Sequence, residues 1–408
     1  MKPSDFALQP SPIFVSEELL ADLRHRLRST RWPLDAGNDD WFYGVNRSYL
    51  EGLVDYWANE FDWRKSEKAI NAYEHYQVEV DGVPVHFMRK PGVGPNPVPL
   101  ILSHGWPWTF WHWSKVIDPL ADPGAFGGDP AEAFDVIVPS LPGFGFSTPL
   151  PNNPDMNFWK IADLWHTLMT DVLGYAKYAA AGCDVGALVT GQLGHKYSGE
   201  LYAIHIGSAL KLSFFSGERA WDFAGGRPLP DNIPANIRLQ ILEVDRRFAS
   251  HLAVHVLDPG TLAYGLSDSP AGMLAWILER WVKWSDNKGN IENVFSKDDL
   301  LTHATIYWVN NAIETSMRIY ANANRYPWTP AHHRSPVIEA PTGITFVGYE
   351  NPPGITTGNR VQHFLESDRA PWYNHVNIAA HDEGGHFIPW EIPDKWVDDL
   401  RRTFRGRR

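Results

Sequence analysis

The stretch Ala179-Ala-Ala-Gly-Cys-Asp-Val-Gly-Ala187 sets a carboxylate between two glycines at the end of a short apolar run. Gly182 and Gly186 around Asp184 make a G-x-D-x-G variant of the nucleophile elbow, where a strand turns at once into a helix and presents its apex side chain alone. The glycines follow from sterics, because a strained apex leaves little room for neighbouring side chains. A serine at the apex would form an acyl-enzyme with an ester; an aspartate attacks a saturated carbon and becomes an alkyl ester itself. Taken alone, the pattern also fits an ordinary turn aspartate after a strand.

An upstream element narrows the choice. Val98-Pro-Leu-Ile-Leu-Ser-His-Gly-Trp-Pro107 is an apolar strand ending in His104-Gly105-Trp106-Pro107, and such a loop supplies one backbone N–H of an oxyanion hole. Between the two, Phe134-Asp-Val-Ile-Val-Pro-Ser-Leu-Pro-Gly-Phe-Gly-Phe-Ser147 reads as a second buried parallel strand running into a Gly/Pro loop. Two such elements in this order predict an α/β-hydrolase fold, whose chain order is nucleophile, acid, histidine. Ala380-His-Asp-Glu-Gly-Gly-His-Phe387 supplies the histidine: the glycines before His386 let a loop swing its ring toward the elbow, whereas His381 stays on the strand side. A metal site fits poorly, since these histidines straddle Gly384-Gly385 and cannot share a helical face. For the acid, Gly343-Ile-Thr-Phe-Val-Gly-Tyr-Glu350 reads as a strand ending at Glu350; Asp382 and Glu383 compete but lie too near His386 in sequence to orient it easily.

With these residues in place, the chain resembles the microsomal-type epoxide hydrolases over nearly its whole length. The likeness is carried by Arg31-Trp-Pro33, Asp62-Trp-Arg64 and Asp81-Gly-Val-Pro-Val-His-Phe87, then by His104-Gly-Trp-Pro107 and Pro139-Ser-Leu-Pro-Gly-Phe-Gly-Phe-Ser147. Later come Asp268-Ser-Pro-Ala-Gly272, Trp276-Ile-Leu-Glu-Arg280, Ser316-Met-Arg-Ile-Tyr320 and Gly384-Gly-His-Phe387. The resemblance implies that Asp184 is the nucleophile, Glu350 the charge-relay acid, His386 the water-activating base, and Tyr320 one of two cap tyrosines that polarise the epoxide. It implies a covalent two-step reaction from epoxide to vicinal diol. Asp184 opens the ring while Tyr320, with His251, hydrogen-bonds its oxygen; His386 then activates water against the ester, and the N–H groups of Trp106 and Val185 hold the oxyanion. Trp106, Tyr320 and His251 would line the substrate site. No metal or organic cofactor is required by any step.

One position departs from the family. Its second cap tyrosine lies ten residues before the Thr of a T-[VL]-[AG] segment, and Thr261-Leu262-Ala263 puts His251 in that slot. Histidine donates a hydrogen bond too, but its pKa near ~6.5 is lower and its reach differs. His251, His255 or Tyr264 could substitute, or His251 could be a satisfied core histidine. Two rival functions stand beside the epoxide reading. A haloalkane dehalogenase shares the aspartate and histidine, but typically has a tryptophan directly after the nucleophile, where this chain has Val185. A catalytically lapsed binding protein would use the same cavity for a hydrophobic ligand.

The elements that must position these residues fit the length. At 408 residues, with 44% apolar and 21% charged side chains, the chain suits a hydrolase core carrying an extension and a cap. The serine-capped, apolar-striped segments Ser16 to Leu27 and Tyr49 to Phe61 make residues 1–76 a helical N-terminal extension. Residues 77–210 form the first part of an α/β core with a mostly parallel sheet, opening on a hairpin about Asp81-Gly82. Phe158 to Leu173 is an apolar-striped helix before the elbow strand. Residues 211–336 form a helical cap after the sixth core strand, with Gly225-Gly-Arg-Pro-Leu-Pro230 as a loop, and 337–408 complete the core. Trp106, Trp108, Trp111 and Trp113 crowd one stretch, either as an aromatic substrate wall or as packing between extension and core. His332-His333 and the arginines from Arg401 to Arg408 read as solvated surface.

A net charge of −12 argues against nucleic acid or an anionic membrane as partner. The partners expected are a small hydrophobic epoxide and water, with no macromolecule implied beyond a second copy of the chain in a homodimer. A single cysteine, Cys183, excludes an internal disulfide. No apolar run approaches the ~18 residues of a membrane span, and Met1 to Pro10 lacks a signal h-region. A soluble, cytoplasmic protein is the expectation.

Overall fold

The chain is described by a computed structural model that covers residues 8–34, 37–217 and 232–407, so the loop expected at 225–230 lies outside the described residues. The N-terminal segments fold as α1 (Glu17–Arg28), α2 (Arg47–Asn59) and α3 (Trp63–Ile70), each opened by a side-chain cap: Ser16, Asn46 and Asp62. Capping satisfies N–H groups that the first helical turn leaves without acceptors. Leu20, Leu23 and Leu27 of α1 and Leu50, Leu53, Val54 and Trp57 of α2 are buried, which is the face the helical spacing predicts.

β1 (Glu74–Val80) and β2 (Val83–Lys90) pair antiparallel around Asp81 and Gly82, whose φ values of 49° and 76° suit a two-residue primed turn. β3 (Val98–Ser103), β4 (Phe134–Pro139), β5 (Tyr178–Gly182), β6 (Leu201–Ile206), β7 (Ile338–Val347) and β8 (Tyr373–His381) run parallel to one another. The 8-stranded sheet has the order β1-β2-β4-β3-β5-β6-β7-β8, with β2 antiparallel to β4 at one side. Every residue of β4 and of β5 is buried. Strands covered on both faces read in sequence as continuous apolar runs for this reason.

Helices α4 (Ser114–Ala121), α5 (Phe158–Thr167) and α6 (Val185–Lys196) connect these strands. The helix expected to run to Leu173 is α-helical only to Thr167 and continues as a π turn over Leu168–Val172. Between β6 and β7 lie α7 (Ala235–Val244), α8 (Ser250–Leu257), α9 (Pro259–Asp268), α10 (Pro270–Trp284), α11 (Lys297–Val309) and α12 (Ile313–Arg325). These lie within the segment the sequence assigns to the cap. α13 (Thr357–Glu366), α14 (Ile388–Glu391) and α15 (Pro393–Phe404) complete the chain. Tryptophans 106, 108 and 113 are fully buried.

Candidate active site

Asp184 stands between β5 and α6 with φ 54° and ψ −127°, so the strain of the turn falls on the aspartate itself. The flanking glycines have no room for a side chain, as the sterics of the apex suggest. A Cβ at Gly186 would sit 2.0 Å from the Ser103 carbonyl oxygen, and one at Gly182 would sit 2.2 Å from the Gly186 carbonyl oxygen. Both positions are closed by neighbouring backbone. Gly105 is closed by the nucleophile, since its Cβ would lie 2.2 Å from Asp184 Oδ1. That close approach lets the Trp106 N–H donate to Asp184 Oδ1 at 2.7 Å. The Val185 N–H belongs to the first turn of α6, whose N–H groups have no intrahelical acceptor and whose positive dipole end faces the carboxylate.

His104 is fully buried and holds this loop. Its Nε2 accepts the Leu141 N–H at 3.0 Å and its Nδ1 donates to the Gly105 carbonyl oxygen at 3.0 Å. Burial pushes the ring down to about 4, so it stays neutral. Helices between β6 and β7 grip the same loop: the Trp281 indole N–H donates to the Pro107 carbonyl at 3.1 Å, and the Tyr307 hydroxyl to the Trp108 carbonyl at 2.9 Å.

His386 and Glu350 come together as the sequence expects. His386 Nδ1 lies 2.8 Å from Glu350 Oε1, and Nε2 lies 3.3 Å from Asp184 Oδ2. The second approach is ion-pair distance without hydrogen-bond alignment. Burial alone would push the His386 ring down, but Asp184 and Glu350 together hold it up at about 10. Burial likewise pushes Glu350 up, and the His386 ring with the Arg360 guanidinium, 3.2 Å from Oε2, overcomes it to hold the carboxyl at about 2. Arg360 carries no spacing signal; it reaches Glu350 only because α13 packs beside the end of β7. Glu350 itself lies just past the strand, in a 3-10 turn over Gly348–Glu350. Of the rival acids, Glu383 pairs with Lys395.

A cavity of about 330 Å³ opens over Asp184, within the range of small-molecule sites. Val185, Tyr320, His251, Trp284, Glu350 and His386 are among its lining residues. Tyr320, on α12, is 2% exposed and makes no hydrogen bond to another described residue. Burial, with Asp184 and Tyr307 adding to it, pushes its phenol well above its ordinary range, so it remains a neutral donor.

The three candidates for the second donor separate cleanly. His251 lines the cavity and its ring centroid lies 6.2 Å from that of Tyr320. His255 is fully buried and its Nε2 accepts the Trp276 indole N–H at 3.2 Å. Tyr264 is 85% exposed and is not part of the cavity wall. Burial, then His255, Arg280 and His386, push His251 well below 6.5, so the change of charge that its ordinary pKa suggests does not occur near neutrality. Trp106 departs from its expected place in the substrate wall. Its indole is fully buried, stacked on His251 at 5.7 Å and 5°, and only its backbone faces the nucleophile.

Comparison with known proteins gives the family. Residues 8–113 match the epoxide hydrolase N terminus family, and residues 98–229 match the alpha/beta hydrolase fold. The chain is 34% identical to a Stigmatella aurantiaca protein bearing an epoxide hydrolase name, over 98% of this chain and 86% of that protein. It belongs to the epoxide hydrolase family. It is also 28% identical to epoxide hydrolase 1 of Oryctolagus cuniculus, over 97% of this chain and 88% of that protein. Among solved structures, the juvenile hormone epoxide hydrolase of Bombyx mori aligns with a TM-score of 0.76 at 25% identity, covering 99% of this chain and 94% of that one. Among the described residues, no helix is long and apolar enough to cross a membrane.

Proposed function

We propose that this epoxide hydrolase works by covalent catalysis, with Asp184 as nucleophile, His386 as base, Glu350 as its acid, and Tyr320 and His251 as the two donors to the epoxide oxygen. The observation that carries the reading is the His386 ring, which spans the two carboxylates at 2.8 and 3.3 Å. In the first step an Asp184 oxygen forms a bond to a ring carbon, the carbon–oxygen bond of the epoxide breaks, and its electron pair moves to an oxygen held by Tyr320 and His251. Both donors are neutral for the physical reasons above, and a neutral donor is what a developing alkoxide needs.

Esterification then changes the electrostatics at His386. Asp184 loses its charge, and with it one of the two anions that hold a proton on the ring. Once the ester has formed, the ring's proton passes to the alkoxide oxygen, which becomes the hydroxyl, and the neutral ring is a base just when the second step requires one. Glu350 keeps it oriented through Nδ1. Water deprotonated at Nε2 attacks the ester carbonyl, and the N–H groups of Trp106 and Val185 receive the oxyanion. The intermediate then breaks its bond from the carbonyl carbon to the substrate oxygen, which takes the proton held by His386; the diol leaves, and the acid proton on Asp184 passes to the ring and restores the carboxylate.

The substrate is a small hydrophobic epoxide, matched to an apolar cavity with a few convergent polar groups. A dehalogenase is disfavoured by Val185 after the nucleophile and by an oxygen-directed phenol at Tyr320. A single turnover in heavy-oxygen water tests the scheme: label should enter Asp184 and largely spare the first diol. Unlabelled Asp184 with fully labelled diol would establish direct hydration instead.

A further inference from the structure

We infer that Glu391 is a positioning residue for the second chemical step, clasping the loop that carries His386 to the cap. This rests on His386 being the base. One carboxylate oxygen of Glu391 accepts the Gly385 N–H at 2.9 Å and the Asp286 N–H at 2.7 Å; the other accepts the Phe387 N–H at 2.9 Å. Glu391 therefore holds the peptide groups on both sides of His386, and the same carboxylate reaches across to the segment that follows α10 in the cap.

The intervening N–H groups complete the clasp from the cap side. His386 N–H donates to the Trp284 carbonyl at 2.8 Å, and Gly384 N–H to Asp286 Oδ2 at 3.3 Å. Four successive N–H groups, from Gly384 to Phe387, thus have acceptors in α14 or the cap, and none is left to set the loop by its own turn geometry. Gly385 is a glycine because of this closeness, since its Cβ would lie 2.6 Å from the Trp284 carbonyl oxygen and 2.6 Å from the Asp286 nitrogen. Trp284 continues the chain of contacts into the cavity, its ring centroid 5.1 Å from that of His386 and 4.8 Å from that of His251.

The clasp is held against a cost. Burial pushes the Glu391 carboxyl up to about 7, although the Asp286, Phe387 and Gly385 N–H groups and His386 all hold it down. A carboxylate kept where its charge is disfavoured, with two of its three hydrogen bonds directed at the His386 loop and the third at the cap, is better explained by placement of that loop than by surface solvation. The first step needs Asp184, Tyr320 and His251, none of which Glu391 touches. The second needs the His386 ring within hydrogen-bond reach of a water at the ester, where a displacement of about 1 Å costs about 100-fold in rate.

The test separates the two steps by quenched single turnover with styrene oxide, following the ester on Asp184 by mass spectrometry in the parent, Glu391→Gln and Glu391→Ala proteins. In Glu391→Gln an amide nitrogen must face an N–H donor on one side, so the clasp is broken without loss of volume. The expected result is alkylation within about threefold of the parent with ester hydrolysis slowed by about 100-fold, so that the ester accumulates in both variants. Should Ala fail to fold, Gln decides alone. Hydrolysis at the parent rate in a folded Gln variant, or equal slowing of both steps, would overturn the assignment. If the parent itself forms no ester on Asp184, the covalent mechanism fails instead.

Discussion

Replacing Glu350 by Gln removes a charge while leaving a carbonyl oxygen where His386 Nδ1 donates. The displacement of Glu350 from 4.5 to about 2 corresponds to about 3 kcal/mol at about 1.36 kcal/mol per unit. That figure is net of the cost of burial, which His386 and Arg360 overcome together, and on the order of half to all of it is assigned to the ring. The imidazolium that forms as water is deprotonated should lose this support, which slows ester hydrolysis by about 20- to 300-fold. Alkylation of Asp184 should change little, because it does not need the base. Rapid-quench measurement of adduct formation and decay in parent and variant reads both rates. The pair also leaves a mark on stability. Glu350 is depressed in the folded state, so its contribution is present above about 4.5 and lost as pH falls through about 2. His386 is raised, so its contribution is present below about 6.5 and lost as pH rises through about 10. The difference in Tm between parent and variant should therefore peak between those two unfolded values and shrink on either side. Decay of the adduct within twofold of the parent, together with a pH-independent Tm difference, would show that Glu350 is not the acid.

Asp184→Asn should abolish adduct formation while keeping the fold, since Asn tolerates the positive φ of the elbow; an alkylated peptide elsewhere in the chain would move the nucleophile. His386→Gln should form the ester and hold it, so that an adduct persists after parent protein has turned over completely. Tyr320→Phe should suppress alkylation, and His251→Phe should lower it by about 10- to 100-fold with His251→Tyr restoring it. The parent alkylation rate should show no inflection assignable to His251 across neutral pH, because burial holds that ring neutral; an inflection abolished by His251→Phe would refute this. A bromoalkane should release no halide at a rate comparable to diol formation from styrene oxide.

What was legible in the chain tracks how local its cause is. The elbow at Asp184 and the His104–Pro107 loop show in the sequence because close backbone approach demands glycine at fixed offsets, and such demands do not depend on distant partners. His386 is legible for the same reason, through Gly384 and Gly385. Glu350 could be placed by strand order, but its second partner Arg360 could not, because a helix packed beside β7 delivers it. The second donor was narrowed to three residues by a family spacing and no further. Periodicity cannot tell a helix face that meets a cavity from one that meets water, and so Tyr264 stayed in contention although it is 85% exposed. The place of the Trp106 indole is hidden by a similar limit: the motif fixes its peptide group beside Asp184, while the direction of the side chain is set by His251 stacked on it and His255 packed edge-on against it.

In the proposed scheme the cap serves both chemical steps. By that scheme its helices supply the donors for ring opening, Tyr320 from α12 and His251 from α8, and Trp284 lines the cavity. The same helices also hold the two loops to which the proposed scheme gives the hydrolysis step. Trp281 and Tyr307 fix the carbonyl groups of Pro107 and Trp108 beside the oxyanion N–H of Trp106, while Trp284 and Asp286 fix the peptide groups around His386. A cap displaced by an ångström would therefore spoil ester hydrolysis as surely as it would spoil alkylation. Substitutions in the cap far from the cavity should then lower both rates together, whereas those at Glu391 or Glu350 should lower only the second.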